Sequence, residues 1–316
     1  MTIWILADDR AGNVNQLLGI ASALNEDFMR KDIRYTKWVK LPNFLRGASL
    51  IGITKESRAM LNALWPDIVL SAGRRSFPIA RWIKRKSRGQ TKIVQVMNPG
   101  GAGFKEADLI VLPTHDDYHG YDKNVLRVSG AAHAITPARL EKERLYWESK
   151  LGKYPSPRLS LIVGGATKDK PFSAEMAHRL VDNVLDLNPK SILVTTSRRT
   201  PKEVVDILKS RLPQDSFFYQ YGDKTENPYF GLLALADKIV VTGDSISMCS
   251  ECCGTQAPVY IFAPDEMMSV KHKRFHQDLY AKGYAAKLGG ENTITPMHGG
   301  VNPAHVIARK IREELL

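Results

Sequence analysis

The sequence predicts an α/β protein of two Rossmann-like domains whose parallel sheets face each other across a cleft. Three observations point to two such domains. Short β-branched runs alternate with helical patterns through both halves of the 316 residues, which is the rhythm of parallel βαβ construction. A Pro-rich break, Tyr154-Pro-Ser-Pro-Arg158, divides the halves. Polar, Gly-bearing turns follow the apolar runs, at the strand ends where open parallel sheets bind ligands. The length suits two domains with full cores. Hydrophobic residues at 43% and charged residues at 25% exclude a disordered, collagenous or coiled-coil chain.

In the first half, strands are expected at Ile3–Ala7, 33–38, 67–72, 92–97, 108–112 and Val125–Val128. Helices are expected at 13–24, where Val14, Leu17, Leu18, Ala21 and Leu24 recur at helical spacing, then at 55–64 and 77–86. A long polar helix at 137–150 precedes the Pro pair, which cannot continue a helix. The expected domains are therefore 1–154 and 155–316, with the last helix returning to pack on the first domain. In the second half, strands are expected at 159–163, 191–195, Phe217–Tyr219, Lys238–Thr242 and Val259–Phe262. Helices are expected near 173–187, 201–211, 229–236, 247–253, 270–282 and 303–315. There is no internal repeat.

No apolar run approaches the roughly 18 residues of a membrane span; 109–113 and 231–236 are among the longest. The start, MTIWILADD, enters a strand pattern without a basic n-region, so no export signal is expected. Three cysteines within 249–253 are too few and too close for a disulfide framework. Cytoplasmic residence is the expectation. The net charge of +12 is uneven: residues 1–154 carry 25 Lys and Arg against 15 Asp and Glu, and the rest carry 20 against 18. That excess suits phosphorylated substrates, anionic lipid or nucleic acid. Nucleic acid is not expected, since no zinc-finger spacing, RNA-binding aromatic submotif or Arg-Gly tract accompanies the charge.

The strand ends hold the chemistry. Asp8-Asp-Arg-Ala-Gly12 follows the first strand, lacks the further glycines of a dinucleotide fingerprint, and offers Asp9 either as a helix cap or as a catalytic base. Gly73-Arg-Arg75 sets two guanidiniums at a strand end, a place for phosphate. Pro113-Thr-His-Asp-Asp117 puts His115 beside two carboxylates, either a base or a solvated loop residue. In the second half, Gly164-Gly-Ala-Thr-Lys168 lets backbone approach a phosphate, and Lys168 adds charge. Ser197-Arg-Arg-Thr-Pro201, with Ser197 and Arg198, and Asn227-Pro-Tyr229 open further helices. In Gly243-Asp-Ser-Ile-Ser-Met-Cys-Ser-Glu251, Asp244 or Ser245 can cap a helix, and Asp244, Met248 and Glu251 share one face. An anion at that helix start, near Ser245 and Ser247, and a ribose on Glu251 fit a nucleoside diphosphate. Cys249 and Cys252, together with His272 and His276, could imitate a zinc site; small buried residues are the expectation for the cysteines, and no metal is expected.

The runs Glu226-Asn-Pro-Tyr229, Val240-Val-Thr-Gly-Asp-Ser-Ile-Ser-Met248 with Glu251, and Pro258-Val-Tyr260 resemble a family of bacterial predicted glycosyltransferases. That family is related to the plant mitochondrial-fission (elongated-mitochondria) protein. The likeness extends to Gly12, Gln16, Gly73-Arg-Arg75, His115-Asp116, Asn124-Val125 and Ser197-Arg-Arg-Thr-Pro201, nearly the whole chain. Asn13 and Met97-Asn-Pro-Gly-Gly101 depart from its pattern. The resemblance implies a GT-B enzyme with a nucleotide-sugar donor on the second domain and Glu251 on its ribose. The implied acceptor is a cell-envelope glycan, lipid-linked or lipopolysaccharide core. A nucleotide-sugar epimerase on the same fold and a non-catalytic fission-type adaptor are the alternatives. Asp9 and His115 are the candidate bases on the acceptor side. The donor is a substrate, and no cofactor is expected. An anionic membrane is a further expected partner, peripherally at the inner face. It rests on the charge asymmetry, on the basic aromatic run 81–88, and on 38–53, whose Trp38, Phe44, Leu45, Leu50 and Ile51 lie between basic residues unless the core takes them.

Overall fold

The chain, described here by a computed structural model for residues 1–62, 64–120, 122–166, 170–289 and 300–316, forms two six-stranded parallel sheets. The first is built from β1 (Ile3–Ala7), β2 (Phe28–Asp32), β3 (Ile68–Ala72), β4 (Lys92–Val96), β5 (Leu109–Pro113) and β6 (Val125–Val128). Its order is β2-β1-β3-β4-β5-β6. The helices of this half are α1 (Ala11–Leu24), α2 (Asn43–Arg46), α3 (Lys55–Ala59) and α4 (Gly73–Lys86). Strands β1, β3 and β5 are buried at every position, as continuous apolar runs covered on both faces should be.

After α5 (Pro137–Leu151) comes the second sheet: β7 (Arg158–Val163), β8 (Ser191–Thr196), β9 (Phe217–Tyr219), β10 (Lys238–Thr242), β11 (Val259–Phe262) and β12 (Ala286–Lys287). The helices between are α6 (Ala174–Asp186), α7 (Lys202–Arg211), α8 (Tyr229–Leu235), α9 (Ile246–Cys253) and α10 (Val270–Ala281), and α11 (Pro303–Glu314) ends the chain. The order β12-β11-β10-β7-β8-β9 is the Rossmann order, with its reversal between β7 and β10. In the first sheet the reversal lies between β1 and β3.

Two compact units result, residues 1–134 with 303–316, and residues 135–302. The break lies at 134/135 instead of the expected 154, because α5 packs within the second unit. Trp147 and Leu151 of α5 join the apolar cluster of Leu232, Leu233 and Leu235 from α8, and Trp147 sits where a Gly231 side chain would be, its ring 2.2 Å from an ideal Cβ. The helix α11 belongs to unit 1, where Ala304, Ile307, Ala308 and Ile311 join Leu17, Ile20 and Leu24 of α1.

Three expected elements differ. The strand expected at 33–38 is β2 at Phe28–Asp32, an edge strand pairing, among the described residues, with β1 alone and mostly exposed. The alternation of Ile33 and Tyr35 instead buries a loop, joined to Ile53 by an isolated antiparallel bridge from Tyr35. The helix expected from 77 begins at Gly73, whose positive φ of 68° turns the chain directly out of β3. The helix expected over 55–64 is the single turn of α3. Among the described residues, no helix is long and apolar enough to cross a membrane.

Candidate functional site

Each sheet reverses its order once, and the residues beyond the strand ends at those points form two separate constellations. In unit 2, β7 runs into Gly164-Gly165 and β10 into Gly243-Asp244. Asp244 is buried and central. Its carboxylate accepts from Gly165 N at 2.9 Å, Thr242 Oγ1 at 2.7 Å and Arg199 Nη2 at 2.8 Å. Burial pushes the Asp244 carboxyl above its usual range, against the pull of the Gly165 N–H, Thr242 and Arg199. The expected face of Asp244, Met248 and Glu251 is therefore incomplete, since the Asp244 side chain is committed to the sheet end. Ser245 caps α9 instead, accepting from Met248 N at 3.3 Å.

The two glycines are explained by the same cluster. A Cβ on Gly164 would meet Asp244 Oδ1 at 2.1 Å, and one on Gly165 would meet Arg199 O at 2.0 Å. They admit a carboxylate and a neighbouring loop, and the Gly165 N–H expected for a phosphate is donated to Asp244. Lys168 lies outside the described residues. The turn after β8 is likewise tied internally: Ser197 Oγ accepts from Arg199 N at 3.2 Å, and Thr200 Oγ1 accepts from Ser197 N at 2.9 Å. Arg199, which sequence reasoning passed over, carries the ion pair, while Arg198 is exposed with no ion pair among the described residues.

The start of α9 is engaged less fully than these turns. Ser245 and Ser247 are half-buried, and the N–H groups of Ile246 and Ser247 have no acceptor among the described residues. Five residues on from Ile246, about 8 Å along the axis, is buried Glu251, whose Oε2 accepts from the Tyr229 hydroxyl at 2.6 Å. Burial, then the Glu251 charge, raises the Tyr229 phenol well above its ordinary value, so it stays a donor. Tyr229 is set by Asn227, whose Oδ1 accepts from Tyr229 N at 3.0 Å. Asn227 and Tyr229, expected to touch ligand, thus orient Glu251. Met248 is half-buried beside the apolar cluster behind the helix.

Beneath the turn, His276 packs on Gly243, where a Cβ would meet its ring at 2.5 Å. His272 Nδ1 lies 2.7 Å from Ser269 Oγ, and burial lowers its pKa, opposed by Asp244. Cys249, Cys252 and Cys253 are buried and free, their thiols raised by burial. Among the described residues no group of three His, Cys, Asp or Glu is placed to hold a metal.

In unit 1 the ends of β1 and β3 bring Asp8, Asp9 and Arg75 together. Arg75 Nη2 bonds Asp8 Oδ2 at 2.9 Å and also Asp9, and its guanidinium lies 4.6 Å from the centre of the Tyr35 ring. A polar pocket of about 530 Å³ opens beside them, lined by Asp8, Asp9, Arg30, Asp32, Arg34 and Tyr35. Asp9 does not cap α1; its side chain is exposed, and hydrogen bonding from Arg75 holds its carboxyl below the usual range. Arg75, expected to meet phosphate, is neutralised by these two acids. His115 is buried, with Nε2 3.9 Å from Asp116. Asp9 and His115 follow strands β1 and β5, which are three strand spacings, about 14 Å, apart in the sheet. In the basic run 81–88, three residues are engaged within the protein: Arg81 and Arg85 pair with Glu106, and Lys84 bonds Asp108 at 2.7 Å, while Lys86 and Arg88 are exposed.

Comparison with known proteins places the chain in a family. An uncharacterized protein of Rickettsia prowazekii is 31% identical over 319 residues, covering 88% of this chain and 88% of its own. Among solved structures, the Neisseria meningitidis UDP-GlcNAc 2-epimerase bound to UDP-GlcNAc covers all of this chain and 99% of its own, with a TM-score of 0.54 at 10% identity. The glycotransferase of kitacinnamycin covers 99% and 90%, with a TM-score of 0.53 at 13% identity. Those likenesses show the fold, two Rossmann-like α/β units of the GT-B type. The family described as mitochondrial fission ELM1 matches residues 11–315, nearly the whole sequence, and the chain belongs to that family.

Proposed function

We propose that the chain is a glycosyltransferase that moves a sugar from a nucleoside diphosphate donor to a cell-envelope acceptor, a lipid-linked or lipopolysaccharide-core glycan. One observation carries the reading: the half-buried start of α9, at the order reversal of the second sheet, lies about 8 Å from a buried carboxylate held by a tyrosine. The fold shared with a UDP-GlcNAc-bound enzyme supports it. In this reading the diphosphate rests on the N–H groups of Ile246 and Ser247 and on the Ser247 hydroxyl, and Glu251 accepts from the ribose. When the bond from sugar to phosphate breaks, the electron pair leaves with the diphosphate. The helix terminus and Arg198, free to swing in, stabilise that charge without a resident metal, and Lys168 would add to it. In unit 1, Asp9 is the exposed group at the pocket to receive the acceptor's proton, at a basicity reduced by Arg75. Burial makes His115 a supporting residue in this scheme.

The test is calorimetric titration with UDP and UDP-GlcNAc. Glu251→Ala should fold and lose about 1.5 to 3 kcal/mol of donor binding, the range for a hydrogen bond to a charged group. Equal affinity in wild type and variant would remove Glu251 from the site. Interconversion of the sugar nucleotide with no acceptor present would make the chain an epimerase, the activity named for the Neisseria meningitidis structure. Absence of nucleotide binding would favour an adaptor.

A further inference from the structure

The loop joining β2 to α3 in unit 1 holds four large apolar side chains in solvent. Trp38, Phe44, Leu45 and Ile51 are between 43% and 71% exposed. Exposure on this scale in one short segment marks an interaction surface. The loop is also braced. Its base is closed by Thr36 N donating to Gly52 O at 3.0 Å and Thr54 N to Arg34 O at 3.0 Å. Inside it, Arg46 is 1% exposed and has no carboxylate partner among the described residues. It donates Nε to Ile51 O at 3.1 Å and Nη2 to Arg75 O at 3.1 Å, and Nη1 lies 3.4 Å from Asn43 Oδ1. Asn43 Nδ2 in turn bonds Arg74 O at 3.0 Å and Pro99 O at 2.9 Å. A buried cation bonded to backbone carbonyls thus braces the loop in the conformation that leaves these apolar side chains exposed.

Charge identifies the occupant. Residues 33–55 contain five basic residues and no acidic one, and Arg34, Lys37, Lys40 and Lys55 of the same segment are exposed. Exposed apolar side chains interleaved in sequence with exposed cations match the boundary between acyl chains and anionic headgroups. We propose that this loop is a foot by which unit 1 docks on an anionic lipid bilayer, with Trp38, Phe44, Leu45 and Ile51 at the acyl boundary and Lys37 and Lys40 on the headgroup phosphates. Arg81, Lys84 and Arg85 of the run 81–88 are already paired with Glu106 and Asp108 and are not counted in the foot. Through the bond from Arg46 to Arg75 O, the foot is fixed to the turn that holds Asp8 and Asp9. A docked unit 1 would therefore meet a lipid-borne ligand with its polar pocket beside the membrane. The docking itself does not depend on the nucleotide-sugar reading.

Co-sedimentation of the full chain with phosphatidylcholine vesicles, with or without about one third phosphatidylglycerol, tests the foot. Wild type should bind the anionic vesicles, release with salt, and ignore the neutral ones. Lys37→Ser with Lys40→Ser should weaken binding roughly 25-fold, about fivefold per lysine. Phe44→Glu with Leu45→Glu should weaken it at least ~10-fold while the melting temperature holds, both side chains being exposed. Trp38 fluorescence should shift blue on binding, and Trp38→Phe should abolish that shift. Wild type that ignores anionic vesicles at low salt overturns the proposal, as does a Glu variant that binds equally well. A wild-type dimer that the Glu variant converts to monomer also overturns it, assigning the patch to a second copy of the chain.

Discussion

A methyl group at Gly164 would stand 2.1 Å from an oxygen of Asp244, and that oxygen cannot easily yield. Asp244 is fixed by Thr242, Gly165 N and Arg199, so an added Cβ displaces a buried, charged hub. Gly164→Ala should lower stability by about 1 to 3 kcal/mol, the cost of overpacking, read as a reduced melting temperature of unit 2. Gly101→Ala is the control: no atom lies within 4 Å of its ideal Cβ, and its φ is not in the left-handed region. A Gly164→Ala protein as stable as wild type would mean that the Asp244 cluster is looser than its bonds indicate. At this scale the sequence discloses residue types better than their directions. A Gly pair and an Arg pair at strand ends are legible as a site, but only packing shows that Asp244 faces inward, that Arg199 instead of Arg198 reaches it, and that Tyr229 holds Glu251. Side-chain direction depends on long-range neighbours, here residues 22 to 79 positions apart, which local pattern does not encode.

Elements buried on both faces are readable from apolar runs, which is why β1, β3, β7, β10 and β11 stand where the sequence places them, within a residue. The misplaced element is β2, an edge strand with an exposed Phe-Met-Arg-Lys-Asp sequence; its one partner, β1, supplies ladder hydrogen bonds and no apolar signature. The helix α5 raises a different difficulty. The proline pair after it ends a helix, but a helix end is not a domain end, and α5 carries Trp147 into unit 2. Trp147→Ala should cost about 3 to 5 kcal/mol, confined to unit 2. Gly231→Ala should also destabilise, its Cβ falling on the Trp147 ring, and the two together should cost less than their sum because the methyl enters the vacated space. Hydrogen exchange resolved by segment checks this. Faster exchange in β1 to β6 of the Trp147→Ala protein would return α5 to unit 1.

At the scale of the whole molecule, the two sheets repeat one principle with different orders, each reversing once and placing its polar turns at the reversal. The chain does not simply finish one unit before starting the next, because α11 lies in unit 1 although more than 160 residues of unit 2 separate it from the rest of that unit. Unit 1 therefore cannot complete its core until the last residues are available. Ala304, Ile307, Ala308 and Ile311 are buried against α1, and Arg312 Nη2 bonds Leu24 O at 2.7 Å. Removing α11 exposes that face of α1 at a cost of about 2 to 5 kcal/mol for each large side chain lost, comparable with the ~5 to 15 kcal/mol that holds a typical domain folded. A chain ending at Asn302 should thus show unit 1 unfolded or melting far below the intact protein, while unit 2, whose core clusters contain none of the removed residues, keeps its own transition. Addition of UDP should raise only that transition, by about 2.7 kcal/mol at a hundredfold excess over its dissociation constant. Calorimetry of the shortened chain decides the matter: both units melting at the wild-type temperature would show that α11 contributes little to unit 1, and a UDP-shifted transition of unit 2, with unit 1 melting far below it or showing no transition, is the expected result.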